Sequence, residues 1–340
     1  MAREVRLTGI VLHANAAPCF HHCRYCQLRT SKPRAVSFSG FEKLVNRFLD
    51  WRIVSGRPEF EVWPWYGNSH EHDEEMLLGL RSIGRRLGYE SDVVLLGGVA
   101  HRSMPEMRAW LQERRAAGID TVVATFSGDR EKHDYWNNKE GNWQFQLDTL
   151  HLAADMGFRL QERVLLLRDN LPSLERLFDA LDTVEAAERN RWAIPLFYSG
   201  RAKRLESQRL TEGDFAALPK RIRDSLRGDH EKWRSERRWV ELVREEGEPG
   251  PEEISPMLRV TEENLAWAEP LSCDEIIAAL EERWRAAYAA MPSRRELCDG
   301  YSDPQGDKVY MFLGQMEHLW LDRYLAKNPA GFDIRSTHFF

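Results

Sequence analysis

The residues most able to do chemistry in this chain are three cysteines in the segment APCFHHCRYCQLRT, residues 17–30. Cys19, Cys23 and Cys26 follow the spacing C-x3-C-x2-C and are three of only five cysteines in the chain. Thiolates are soft ligands that suit zinc or the irons of an iron–sulfur cluster. This local concentration of thiols therefore predicts a metal centre.

The spacing alone leaves three interpretations of these cysteines open. Positions i, i+4 and i+7 share one face of a helix, so the thiols could be buried apolar groups, although the residues between them are largely polar. A zinc site completed by His21 or His22 is the second interpretation, but the chain has no second ligand pair with suitable spacing. The third is a [4Fe–4S] cluster with three protein ligands. Its fourth iron would be left open to bind a substrate or cofactor.

The composition predicts a soluble cytoplasmic protein. With 340 residues, of which 42% are hydrophobic, the chain is long enough for one large domain or one domain with a cap. Its net charge of −6 argues against a nucleic-acid partner, which usually meets a basic face. The N-terminus lacks the layout of a signal peptide, and no apolar stretch approaches the ~18 residues of a membrane span. An odd number of cysteines does not fit a disulfide framework, so we expect reduced thiols.

The first two thirds of the chain alternate strand-like and helix-like segments. Apolar, β-branched stretches typical of buried parallel strands lie at residues 5–14, 59–66, 92–99, 121–127, 159–167 and 191–198. Ser39 is the expected N-cap of the first helix, and Pro172 the expected first-turn residue of the last. Gly88, Gly118 and Gly157 stand just past three other helical patterns, as is usual where a helix leads into a strand.

Six strand–helix units of roughly 30 residues each predict a parallel sheet with right-handed crossovers. We expect an α/β protein with a partial (β/α)6 TIM-like barrel over residues 1–205 and a mainly helical C-terminal cap over residues 206–340. An open doubly wound sheet is the alternative. Residues 220–246 are dense in charge and helical in pattern, and the pattern breaks at GEPGP, residues 247–251.

The cysteine motif resembles the signature of the radical S-adenosylmethionine (radical SAM) superfamily. The shared features are the C-x3-C-x2-C spacing, the position after the first strand, the aromatic Tyr25 before the last cysteine and the six strand–helix units. The resemblance implies that Cys19, Cys23 and Cys26 hold a [4Fe–4S] cluster and that S-adenosylmethionine binds the fourth iron. It also implies reductive cleavage of S-adenosylmethionine to a 5′-deoxyadenosyl radical, with an electron donor such as flavodoxin or ferredoxin as partner.

The same resemblance implies a contact with the methionine part of the cofactor at YGNSHE, residues 66–71. Family members usually carry a Gly-Gly-Glu-type turn here, after the second strand, and this chain departs from that pattern. Gly67, Asn68 and Ser69 are the residues expected to meet the cofactor's amino group.

Further cofactor-binding positions follow the later strands. Thr125 and Ser127 are expected to face the ribose or carboxylate of the cofactor, or else to be ordinary strand-end hydroxyls. Arg168 is expected to pair with a carboxylate, since arginine binds that group bidentately, or else to lie at the surface. Gly200 is expected to approach the adenine, with Tyr25 packing nearby.

The C-terminal part resembles the frame of a SPASM or twitch domain, which carries auxiliary clusters in peptide-modifying relatives. CDGYSDPQGDKVYMFLG begins at Cys298, but only Cys273 and Cys298 lie outside the main motif. A further [4Fe–4S] cluster normally needs four ligands, so we expect one cluster only and a cluster-free remnant. Cys298 is a candidate hydrogen-atom donor, and an inert buried cysteine is the alternative.

The resemblance to the peptide-modifying branch favours a ribosomal peptide or other natural product as substrate. A sugar, amino acid or nucleoside, with epimerase, dehydratase or mutase chemistry, is the alternative, because the chain begins directly at the first strand without a separate peptide-recognition domain. A non-catalytic metal or iron–sulfur protein and an RNA-modifying enzyme remain as rivals. Six aromatic residues near strand ends are expected to wall an apolar pocket or to belong to the core: Trp63, Trp65, Tyr66, Phe126, Phe197 and Tyr198.

Overall fold

The computed structural model describes residues 5–14, 19–26, 36–67, 69–88, 92–246 and 252–336. The strands are β1 (Val5–Leu7), β2 (Gly9–Ala14), β3 (Glu61–Tyr66), β4 (Val93–Leu95), β5 (Thr121–Phe126), β6 (Arg159–Leu166), β7 (Arg189–Pro195), β8 (Arg234–Ser235), β9 (Glu252–Ile254), β10 (Met257–Arg259) and β11 (Val309–Tyr310). The helices are α1 (Phe38–Val54), α2 (Glu74–Leu87), α3 (Met104–Ala116), α4 (Arg130–Asn137), α5 (Asn142–Asp155), α6 (Leu174–Asp182), α7 (Glu212–Ala216), α8 (Lys220–Arg223), α9 (Glu236–Glu245), α10 (Glu262–Ala268), α11 (Cys273–Ala289), α12 (Arg294–Tyr301) and α13 (Leu313–Lys327). Short 3₁₀ turns cover Arg168–Ser173, Gly200–Gln208, His230–Lys232 and Ile334–Ser336.

The protein is an α/β protein with parallel sheets, and each of the six predicted strand segments contains a strand. The pairs β2–β3, β4–β5, β5–β6 and β6–β7 are all parallel. Within the described ranges, one sheet has the order β10-β2-β3 and another the order β4-β5-β6-β7, with no ladder between β3 and β4. Closure of the six strands into a partial barrel therefore stays a prediction.

One face of each sheet packs against helices. In β2, the alternate residues Ile10, Leu12 and Ala14 are fully buried in the same cluster as Phe41 and Phe48 of α1. In the second sheet, β5 and β6 pack in the same way against α3, α5 and α6. Because side chains alternate along a strand, the other face of each sheet is the one available to a site at the carboxyl ends of the strands.

The C-terminal part takes part in the first sheet. Strand β9 pairs parallel with β1, and β10 pairs parallel with β2. Cys298 of α12, Trp284 of α11 and Trp320 of α13 lie in the same hydrophobic cluster as Leu12 of β2. The division of the chain at residue 205 into a barrel and a cap stays a prediction.

The charge-dense segment before residue 247 is not the continuous helix that its pattern predicts. Residues 225–227 instead lie along the free edge of β7, where Ala193 N donates to Ser225 O (2.6 Å) and Arg227 N donates to Ala193 O (3.1 Å). These sheet-edge hydrogen bonds hold the backbone extended, so helix resumes only at α9. Similarly, Pro172 lies within a 3₁₀ turn, and α6 begins after it at Leu174.

Within the described ranges, no helix combines the length and apolar character that a bilayer-spanning segment needs.

The N-cap of α1 is Ser37 and not Ser39, the residue predicted from the sequence. Ser37 has extended backbone angles, and its hydroxyl accepts a hydrogen bond from Gly40 N at 3.2 Å. Ser39 lies inside the first turn, and its hydroxyl donates to the Ser37 hydroxyl at 3.4 Å. The cap lies two residues earlier because the buried Phe38 begins the helix and packs against Tyr66.

Replacing the true cap should destabilise the protein more than replacing the predicted one. We expect Ser37→Ala to lower the free energy of unfolding by about 1 kcal/mol, because Gly40 N loses its acceptor. Ser39→Ala is the matched control and should cost only a small fraction of that. Urea unfolding of both variants measures the difference, and equal losses would contradict the assignment of the cap.

Candidate active site

The segment Cys19–Cys26 follows β2 and lies at the carboxyl ends of the strands. It has no helix or strand of its own. Three backbone hydrogen bonds join it to the segments that follow β4, β5 and β7. They are Phe20 N to Gly98 O (2.9 Å), Arg24 N to Trp136 O (2.8 Å) and Arg201 N to Cys26 O (2.8 Å).

The three cysteine thiols are half-buried and lie close to one another. Burial, and then the neighbouring Cys26 and Cys19, raise the pKa of the Cys23 thiol to about 12. Burial likewise raises the pKa of Cys19, although the nearby Lys139 acts in the opposite direction. Three clustered thiolates are costly without a positive centre between them, and an iron–sulfur cluster supplies one. The donor set and its electrostatics therefore fit a cluster, although no group of three or more His, Cys, Asp or Glu side chains in the described ranges is arranged to hold a single metal ion.

The amide of Asn137, at the end of α4, connects the cysteine segment to β5. Its Oδ1 accepts hydrogen bonds from Tyr25 OH (2.9 Å) and Cys23 Sγ (3.3 Å). Its Nδ2 donates to Ser127 Oγ (3.2 Å) and to His133 O (2.9 Å). Asn137 is only 2% exposed, so these bonds are shielded from water. The Ser127 hydroxyl thus helps to hold Asn137, which in turn bonds to the cysteine segment.

Gly98, after β4, makes the closest approach to Cys19. Its φ is +89°, and a Cβ placed on it would lie 2.8 Å from Cys19 Sγ and 3.1 Å from Ser69 Cβ. Gly98 N also donates to His21 Nδ1 at 3.1 Å. Burial lowers the pKa of His21 to about 3, so the ring is neutral and can accept this bond. Sequence reasoning did not single out Gly98, although the Gly-Gly pair after a strand was visible.

The turn after β3 lies beside this segment. Gly67 N donates to Ala14 O at 2.6 Å, and Gly67 has a φ of +91°. Ser69 is buried, and its hydroxyl accepts from Glu71 N at 3.3 Å. Asn68, the third residue expected here, lies outside the described residues.

Thr125 lies directly opposite Arg163 in the register of β5 and β6. The guanidinium of Arg163 lies 4.9 Å from the ring centre of Trp192, on the face of the sheet away from the helices. Burial lowers its pKa, and among the described residues no carboxylate pairs with it. Arg168, the arginine expected from the sequence, is about half exposed and pairs with Asp214 at 3.1 Å.

Glu162 and Arg163 are neighbours in sequence with opposite environments. The Glu162 side chain is fully buried and accepts a hydrogen bond from Arg191 Nε at 2.5 Å. Arg163 donates to Gln161, a neutral partner on its own strand, at 3.0 Å. The signal that could have identified Arg163 is the two-residue period of β6, which places it on the same face as Gln161 and Leu165.

The Gly200 turn lies beside the cysteine segment that carries Tyr25. Gly200 has a φ of +53° and begins the 3₁₀ turn after β7. The next residue, Arg201, donates its N–H to Cys26 O. Tyr25 packs against the hydrophobic cluster that contains Leu165 and Ile194.

Cys298 lies inside α12 and is fully buried in the core. Its environment is a hydrophobic cluster that also contains Leu297 and Trp320, and burial raises the pKa of its thiol. The helix α12 begins with a capping box at Ser293. The helical core position is the one expected of an inert buried cysteine, and the role of hydrogen donor stays a prediction.

No protein-family model and no curated protein matches this chain. Solved structures do resemble it. SuiB of Streptococcus suis, bound to its precursor peptide SuiA, is 11% identical with a TM-score of 0.44, and the match covers 64% of this chain and 46% of SuiB. For anSMEcpe with bound AdoMet the values are 12% and 0.44, covering 74% and 64%. The coproporphyrinogen III oxidase HemN of Escherichia coli, a radical SAM enzyme, gives 10% and 0.39, covering 96% and 92%.

The chain thus spans about half the length of the SuiB structures that it resembles. Every one of these TM-scores is below 0.5.

A side chain at position 98 should disturb the cysteine segment. Gly98→Ala is expected to lower the free energy of unfolding by at least about 2 kcal/mol, since alanine is strained at this φ and its Cβ meets Cys19 Sγ. Gly97→Ala is the matched control, because an added Cβ there has no neighbour within 4 Å. Urea unfolding and the iron bound per chain after anaerobic reconstitution measure both effects. Equal behaviour of the two variants would show that Gly98 does not constrain the segment.

Proposed function

We propose that this protein is a radical SAM enzyme with a single [4Fe–4S] cluster. The observation that carries the proposal is the three-cysteine segment after β2, fixed by backbone hydrogen bonds to the segments after β4, β5 and β7. When bound, the cluster and S-adenosylmethionine supply one-electron cleavage of the sulfonium and a 5′-deoxyadenosyl radical that removes hydrogen from the substrate. Cys19, Cys23 and Cys26 would hold the cluster. The fourth iron, which has no cysteine ligand, would bind the cofactor.

Several residues of this chain would hold S-adenosylmethionine. Gly67 and Gly200 have positive φ and place backbone without a side chain beside the cysteine segment. Arg163 would bind the carboxylate, because it is a half-buried cation without a carboxylate partner in the described ranges, opposite Thr125. Tyr25 would close one side of the site, with its hydroxyl fixed by Asn137.

The remaining residues keep this arrangement rigid. Asn137 ties Tyr25 and Cys23 to β5, and Gly98 leaves room for Cys19. Rigid second-shell hydrogen bonds orient metal ligands and tune their basicity. An external one-electron donor such as flavodoxin or ferredoxin, and a ribosomal peptide or other natural product as substrate, complete the proposal. SuiB and anSMEcpe, which were each crystallised with a peptide, are consistent with this substrate class without deciding it.

The test is anaerobic cleavage of S-adenosylmethionine. The protein is reconstituted with iron and sulfide, reduced with dithionite and assayed for 5′-deoxyadenosine by chromatography. We expect the wild type to be brown and to form the product, whereas Cys23→Ala should lose both. Cys273→Ala is the matched control, since Cys273 is buried in α11 outside the segment and should retain both. A colourless zinc protein, or product formation by Cys23→Ala, would refute the proposal.

Substitution of Arg163 and of Arg168 tests which of the two arginines binds the carboxylate of S-adenosylmethionine. Arg163→Gln is expected to weaken S-adenosylmethionine binding by about 10- to 100-fold, the range for loss of one charge-assisted hydrogen bond. Arg168→Gln should change it less than threefold, because Arg168 pairs with Asp214. Equilibrium binding of S-adenosylmethionine to both reconstituted variants measures this. The assignment fails if Arg168→Gln has the larger effect.

A further inference from the structure

Two tryptophans on β3 have exposed side chains. Trp63 is 49% exposed and Trp65 is 50% exposed, whereas Tyr66 on the same strand is buried in the core. Phe126 and Tyr198, which were also expected to wall a pocket or to form core, are buried as well. Of the aromatics near the strand ends, Trp63 and Trp65 thus offer the largest open ring surface.

The alternation along β3 places both rings on the face away from the helices. Val62 and Tyr66 pack into the cluster with α1, so Trp63 and Trp65 lie on the opposite face. This face belongs to the sheet β10-β2-β3, and Trp65 is one residue before the carboxyl end of its strand. Ligands of parallel sheets usually bind at that end.

Both indole N–H groups are already satisfied by the chain itself. Trp63 Nε1 donates to Glu61 Oε2 at 2.9 Å, and Trp65 Nε1 donates to Gly67 O at 2.6 Å. These bonds fix the two rings in orientation and leave their carbon surfaces open. An open, pre-oriented indole surface favours a planar apolar ring, which stacks on it or packs edge-on.

The neighbouring strands add a positive charge next to this surface. Arg259 of β10, His13 of β2 and Trp65 of β3 are aligned across the sheet by the strand register. The centres of the His13 and Trp65 rings are 6.3 Å apart. His13 Nδ1 is buried and, within the described ranges, has no hydrogen-bond partner.

Charge on this face is divided between its two ends. Glu61 pairs in register with Gly9, at the start of β2 and β3 and so at the end away from the cysteine segment. Arg259 lies at the other end. Burial of His13, and then the charge of Arg259, lower the pKa of His13 to about 4, so its ring is neutral at physiological pH. A molecule bound on this face would therefore contact the indole rings in its middle. Toward the carboxyl ends of the strands it would contact Arg259 and the neutral imidazole of His13.

We propose that Trp63, Trp65, His13 and Arg259 form the substrate site and that the substrate carries an aromatic ring next to a negatively charged carboxylate or phosphate. The ring packs on the two indoles, and the anion lies toward Arg259, with His13 Nδ1 available for a hydrogen bond. The inference rests on the proposed function for the reaction, but the binding site can be tested without it.

The test uses small probes on the reconstituted protein, with binding measured by calorimetry. Indole-3-acetate and phenyl phosphate each combine a ring with an anion, whereas indole, phenol and cyclohexylacetate each lack one of the two features. We expect at least one ring–anion probe to bind at least tenfold more tightly than its uncharged counterpart and than cyclohexylacetate. The tighter of the two identifies carboxylate or phosphate as the anion. If neither ring–anion probe exceeds the single-feature probes, the proposal is wrong.

Variants locate the binding on this face. Trp65→Ala and Trp63→Ala are each expected to weaken the preferred probe at least tenfold, and Trp65→Phe, which keeps a ring, by less than threefold. Arg259→Gln should remove the preference for the charged probe over the uncharged one. Phe312→Ala, at an exposed aromatic residue on the cap of α13, is the matched control and should leave binding unchanged. An equal loss in Phe312→Ala, or none in the tryptophan variants, overturns the proposal.

The outcomes separate this inference from the proposed function. If 5′-deoxyadenosine forms but Trp63→Ala and Trp65→Ala bind the probes as the wild type does, the radical chemistry stands and the substrate site is wrong. If the tryptophan-dependent binding appears in a protein that holds no cluster, the aromatic–anion site stands and the radical chemistry is wrong.

Discussion

The site depends on how the cysteine segment, residues 19–26, is held in place by the rest of the chain. Residues 19–26 form neither helix nor strand, so their backbone groups must find partners elsewhere. They find them on the segments that follow β4, β5 and β7, through Gly98 O, Trp136 O and the N–H of Arg201. The side chain of Asn137 adds bonds to Tyr25 and Cys23. Three cysteine side chains are thus held near one another, as the proposed cluster requires.

The C-terminal part of the chain helps to position the Gly200 turn, which bonds to the cysteine segment. Asp322 of α13 accepts hydrogen bonds from Tyr198 OH and Lys203 Nζ, both at 2.9 Å. These two residues flank the Gly200 turn, whose next residue bonds to Cys26. The helix α13 is in turn anchored through Trp320 Nε1, which donates to the buried carboxylate of Glu236 at 2.9 Å. Packing of the last helices is therefore coupled to the position of the last cysteine.

Strand alternation separates structural from functional side chains throughout. Glu162 on one face of β6 is neutralised by Arg191, whereas Arg163 on the other face has no carboxylate partner in the described ranges. On β3, Tyr66 belongs to the core and Trp65 is exposed. The face away from the helices thus carries Arg163 and Trp65, the residues proposed to meet the cofactor and the substrate.

The sequence by itself determined the cysteine motif, the six parallel strands and the glycine-ended helices, because these depend on local spacing and hydrophobic period. The sequence pattern predicted the first N-cap at Ser39, whereas the cap is Ser37. It also predicted a helix where residues 225–227 bond to β7. Both features depend on neighbours that are distant in sequence. Only the tertiary structure showed that Arg168 pairs with Asp214 and that Arg163 has no carboxylate partner in the described ranges, revealed Asn137 and Gly98, and separated Trp63 and Trp65 from the core aromatics. In each case the deciding quantity is which groups lie opposite one another, and the order of residues in the chain does not contain it.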